Sequence, residues 1–157
     1  MRLSGIIPFG VVALLSMRHG EHHVIEHGAF GPLGELPLGD DVAAGVFLLL
    51  GYSYSEILAS QASGLLSVRM TRQGIEWSTR ALPKTETLSQ VSRLSRARLI
   101  GGAVPGYVPL EVEKVPAFGI ARARGAAEVT IVKRGMLCEI NLVSRAPGDG
   151  STVQLRR

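Results

Sequence analysis

Short apolar stretches cut by glycine and proline fill most of this chain, and one segment alone has clear helical spacing. Ile6 to Leu15 predicts a first strand in which Gly10 marks a bulge. Val42 to Leu50 is continuously apolar, as a strand buried on both faces would be. Leu65 to Met70 and Gly74 to Arg80 form a hairpin pattern, with Thr71, Arg72 and Gln73 at its tip and Trp77 anchoring one face. Glu128 to Lys133 reads as a β-branched strand, Arg134-Gly135 as a turn and Leu137 to Val143 as another strand. Thr152 to Leu155 alternates as a last strand, while proline-punctuated Gly106 to Val115 reads as an extended excursion.

The helical segment runs from about 85 to 100. Thr87 and Gln90 stand three apart as in a capping box, and Leu88, Val91 and Leu94 follow at helical spacing. Arg93, Arg96 and Arg98 fall on the remaining surface, and Gly101 and Gly102 are placed to end the helix. Ala103 to Val108 then forms a strand split by Pro105, which restricts it to a sheet edge or a bulge. The pattern predicts a mixed α/β, mainly β fold: one domain over 1–157, a closed or nearly closed β-barrel with one main amphipathic helix and helical or loop insertions.

Composition narrows the chemistry. Hydrophobic content of 46% against 19% charged residues excludes a disordered chain. The net charge of +4 is modest, so a solvated basic face is the first reading of the scattered arginines. Arg93, Arg96, Arg98, Arg122 and Arg124 would carry any nucleic-acid contact, but no aromatic residues interleave with them to stack bases. Cys138 stands alone, which excludes an internal disulfide and suits a small buried hydrophobe. Arg2 with Ile6 to Leu15 imitates a signal peptide, yet Pro8 and Gly10 interrupt it. Val42 to Leu50 falls far short of the ~20 residues that span a bilayer. No membrane is therefore expected as a partner.

All four histidines (His19, His22, His23 and His27) lie between Arg18 and Phe30. Their spacing matches no standard zinc signature, and only a helix would bring His22, His23 and His27 to one face. A polar connection is the plainer reading. Neither a metal nor any other cofactor is expected.

Several short motifs, taken in order, resemble the prohead proteases of tailed phages. Val24 to Phe30 (VIEHGAF) is similar to the family's early "vi-x-x-GAF", and Gly64 to Trp77 to its glycine-bounded hairpin. Leu82-Pro83-Lys84-Thr85 matches the "L-P-x-T" that precedes the family helix. Leu99 to Val108 looks like the nucleophile strand "l-x-G-x-S-x-GF-x-V", and Leu137 to Val143 like the late "L-x-E-V-S-L-V". The resemblance implies a serine protease with the herpesvirus assemblin fold that trims scaffold segments during head maturation. It also implies a further strand ahead of the position matched by Leu3.

The resemblance breaks at the chemistry. The family serine falls on Ala103, with Pro105 as a one-residue insertion, and the family histidine falls on Tyr52, followed by Ser53 where Asp is usual. Glu139 of the late motif is retained, and Asn141 replaces the neighbouring serine. Alanine offers no nucleophile, and a phenol with an ordinary pKa near ~10 is a poor substitute for imidazole. Two losses together imply an inactive head-assembly protein that binds capsid or scaffold subunits or another copy of itself. Its place would be the host cytoplasm during assembly, and then the phage head or virion. Two alternatives stay open: an active protease using Ser53 or Ser55 with one of the histidines, and a basic nucleic-acid-binding module.

Overall fold

The computed structural model describes residues 1–14, 21–38, 45–144 and 150–156. Among the described residues strands dominate and two helices accompany them, so the fold is mixed α/β and mainly β. One sheet has the order β11-β1-β8-β7-β4, from Thr152–Arg156, Arg2–Pro8, Gly74–Thr79, Leu66–Met70 and Gly34–Glu35. The other contains β2 (Val12–Leu14), β3 (His22–Ile25), β10 (Glu128–Val143), β5 (Phe47–Leu50) and β6 (Ile57–Ser60), with β9 (Gly102–Pro116) paired along β10. Among the described residues these ladders form two open sheets, and no pairing joins them into the closed barrel expected from the strand count. A shared core holds them together. Leu3, Ile7, Val68, Ile75 and Trp77 of the first sheet and Leu48, Val132, Ile140 and Leu142 of the second belong to one buried cluster.

The expected first strand is two. β1 ends at Pro8, and Gly10, at φ 72, turns the chain so that β2 pairs with β3 in the other sheet. Glycine suits that corner because it enters the left-handed region without a Cβ clash. The β7–β8 hairpin forms as the alternation predicts, with Trp77 3% exposed. β5 lies between β6 and β10, and its adjacent Leu48 and Leu49 are both fully buried, as a strand covered on both faces requires. Residues 42–44 of that predicted strand lie outside the described residues.

The largest departure from expectation is the β9–β10 hairpin. Gly106 to Val115 is no excursion: β9 runs unbroken from Gly102 to Pro116 and pairs with β10 throughout. Pro105 and Pro109 fit because β9 pairs with β10 alone, and an edge strand turns half its N–H groups away from the ladder. Arg134-Gly135 is no turn either. It is an irregularity inside β10, where Gly135 leaves room for the Phe30 ring, since a Cβ there would come within 3.1 Å of it.

The main helix, α1, spans Glu86–Arg96 rather than 85 to 100. Its N-cap is Thr85, whose Oγ1 accepts from the Leu88 N–H at 3.1 Å, so the capping function sits two residues ahead of the predicted Thr87. Thr87 instead donates to Glu56 at 2.6 Å. Leu88 and Val91 are buried, and Leu94 is half-exposed. The helix ends without glycine. Arg98 takes the left-handed conformation at φ 56, its N–H meets Ser95 O, and the Leu99 N–H reaches back to Leu94 O. That is a Schellman end, with arginine in the place glycine usually fills. Gly101 and Gly102 serve the next element, for the Gly101 N–H donates to Val143 O and Gly102 opens β9. The pattern missed α2 (Gly119–Ala123), which is only five residues long.

Candidate functional site

A groove of about 520 Å³ lies along the β9–β10 hairpin. Tyr52, Gly106, Tyr107, Glu139 and Asn141 line it, together with the start of β3. Two of the three positions singled out by the resemblance, Tyr52 and Glu139, therefore share it. Ala103 does not. It is fully buried in the main core and pairs with Leu142, which lies in the same cluster. Residues directly opposite on paired strands share a face of the sheet. By that rule Val104, opposite Asn141, and Gly106, opposite Glu139, are on the groove side.

Gly106 gives Glu139 its place. A Cβ at Gly106 would stand 2.6 Å from Glu139 Oε2 and 3.0 Å from its Cβ. Tyr54 donates its phenolic proton to Glu139 Oε1, and the Asn141 amide donates to Oε2 at 3.2 Å. The Glu139 hydrogen bond pushes the Tyr54 pKa up to about 12, with a smaller push from burial. Tyr54 also meets Phe47 edge-on at 5.8 Å. Tyr52 sits in the left-handed region at φ 65, just after Gly51 at φ 66, and burial raises its phenol. A tyrosine held there stores backbone strain of about 1 kcal/mol.

The other end is closed by a chain of three side chains. The Tyr107 hydroxyl bonds His23 Nδ1, and His23 Nε2 lies 3.5 Å from Glu21 Oε2. Carboxylate only accepts, so Nε2 carries the imidazole proton and Tyr107 donates to Nδ1. Burial lowers the His23 pKa against the smaller upward pull of Glu21, which keeps the ring neutral near pH 7. Burial, and then the charge of Glu21, raise Tyr107 well above the ordinary phenol range. Phe30 packs on Tyr107 at 5.5 Å, so the "GAF" and "GY" segments meet here. A phenol whose ionisation is suppressed is a weak nucleophile, and the chain reads as a lock between β3 and β9.

His22 is 5% exposed, lines the same groove, and has no hydrogen-bond partner on either ring nitrogen. Strand geometry sends His22 and His23 to opposite faces. His27 lies beyond the strand, with its Nε2 2.8 Å from Arg72 O, so the three histidines do not share a face. His19 lies outside the described residues. Ser53 and Ser55 bond each other at 2.7 Å, and among the described residues no serine hydroxyl bonds a histidine. Cys138 is half-buried rather than buried, its thiol donates to Met136 O at 3.4 Å, and burial raises its pKa. The five arginines considered for nucleic acid are exposed and divided between α1 with its C-terminal turn and α2 with its C-terminal cap.

Sequence reasoning found Tyr52 and Glu139 but missed His22, His23, Tyr107 and Asn141 as groove residues. The late motif did flag Asn141, as the residue standing in a serine's place. No protein-family model, no curated protein and no solved structure matches this chain.

Proposed function

We propose that this chain is a non-catalytic head-assembly protein of a phage or prophage, built as a prohead-protease-like barrel around its two sheets and binding capsid or scaffold subunits. One observation carries the reading. The groove that holds Tyr52 and Glu139 is lined by no serine or cysteine among the described residues, and the strand beside it offers only Ala103 and Val104. Read without an insertion, the "G-x-S-x-GF" pattern runs Gly102 to Tyr107 and sets its serine on Val104, on the groove side opposite Asn141. With either alignment the position lacks a hydroxyl, and acyl transfer lacks its first step.

The function then lies in surfaces, in the host cytoplasm and within the assembling head, where a second copy of the chain is a further candidate partner. The test is coexpression with the capsid and scaffold proteins of a tailed phage, followed by native mass spectrometry and gel analysis. Stoichiometric association with uncut scaffold supports the proposal. Scaffold cleavage that one substitution abolishes would return the chain to the active proteases. Absence of association, with salt-sensitive binding to DNA instead, would favour the basic-module reading.

A further inference from the structure

We propose that the Asn141–Glu139 end of the groove is a binding site for a cationic N–H donor, a primary ammonium or guanidinium group. The inference is independent of the head-assembly reading. Asn141 is 0% exposed, and its Nδ2 faces two groups that only accept, Val104 O at 3.4 Å and Glu139 Oε2 at 3.2 Å. A flipped amide would set oxygen against oxygen on both sides, so Oδ1 is fixed as the remaining acceptor. That oxygen has no protein partner, although buried carbonyls are ordinarily satisfied.

Beside it, Glu139 offers further acceptor capacity. Tyr54 uses one site on Oε1 and Asn141 one on Oε2, out of about four lone-pair sites on a carboxylate. The two side chains therefore offer acceptor capacity and no free donor. Charge points the same way. The chain carries net +4, yet the groove is lined by Glu21, Glu128 and Glu139 against Lys114 alone. An anion is repelled there, whereas a planar guanidinium or an ammonium answers both the charge and the unmet carbonyl.

The test uses the whole chain and N-butylguanidinium as probe, with N-butylurea as the neutral analogue of the same shape, read by isothermal titration calorimetry. Saturable binding of the cation and none of the urea is expected. Glu139→Gln and Asn141→Leu should each weaken it by at least about tenfold, the scale of a charge-assisted hydrogen bond. Tyr54→Phe, at an exposed side chain, should tighten it severalfold by freeing Glu139 Oε1. Circular dichroism checks that each variant folds, and Tyr54→Phe keeps the test valid if a buried substitution does not. Agmatine and a capped Gly-Arg-Gly peptide then separate a free cation from an arginine side chain as the natural source. Equal affinity for the urea, or a folded Glu139→Gln that binds as tightly as the parent, would overturn the proposal. So would the absence of saturation by about 10 mM, the weak limit of useful recognition.

Discussion

The two ends of the groove are built on opposite terms. At one end Tyr107, His23 and Glu21 answer one another's hydrogen-bonding capacity, and Phe30 packs against the phenol. At the other, Asn141 keeps a buried carbonyl without a partner, and Tyr52 holds a left-handed backbone angle. The first arrangement adds to stability and leaves little for a ligand. The second gives up stability and leaves an acceptor unmet, which is the signature expected of a recognition site. The difference shows that polar residues in a cleft do not by themselves mark function. What matters is which of them lack partners.

Removing a polar group should therefore cost more at the end where Tyr107, His23 and Glu21 bond than at the end of Asn141, while overpacking destabilises either end. The largest loss is expected from Gly106→Ala, whose Cβ collides with Glu139. It should destabilise by about 1–3 kcal/mol in urea unfolding, as overpacking does, and abolish cation binding. Tyr107→Phe comes next, since it leaves His23 Nδ1 without its donor. A loss of about 1–2 kcal/mol is expected there, with butylguanidinium affinity unchanged.

At the open end, Asn141→Leu should cost less, under about 1 kcal/mol, because removal of the unmet carbonyl offsets part of the loss of the two hydrogen bonds that its Nδ2 donates. Tyr52→Gly should instead gain about 0.5 kcal/mol, once relieved strain is set against the greater freedom of glycine in the unfolded chain. Thermal or urea melts would check each sign.

The smallest effect is a pH slope. The folded pKa of His23 is lowered, so the unfolded chain takes up a proton first as pH falls below about 6.5. Stability is fully present above that value and declines toward the lower folded pKa. Burial sets the lowered value, with Glu21 pulling it up and His22 pushing it further down, and Tyr107 faces the ring through its hydroxyl. His23→Gln should flatten the decline, and an unchanged slope in urea melts between pH 6.5 and 5 would remove His23 as its source.

Much of the fold was legible because the deciding signals were local. The β7–β8 hairpin, doubly buried Leu48 and Leu49, and the edge position forced by Pro105 all follow from neighbouring residues. What escaped depended on distant ones. Gly135 reads as a turn residue until Phe30 is brought against it, and Arg98 gives no hint that it ends α1 in glycine's place. His22 and His23 read as a polar link, since their strand is defined by its pairing with β2 on one side and with Thr130 to Val132 on the other.

The site divides in the same way. Tyr52 and Glu139 line one groove, but Ala103 faces the core, because a shift of one residue in a strand reverses every side chain. The unmet oxygen of Asn141 follows from its register opposite Val104, which no local pattern encodes.

The most direct test compares melting temperatures of the parent chain and Asn141→Leu, each with and without N-butylguanidinium. The cation should raise the melting temperature of the parent and leave that of Asn141→Leu unchanged. Equal shifts in the two proteins, or none in either, would contradict a cation site at Asn141.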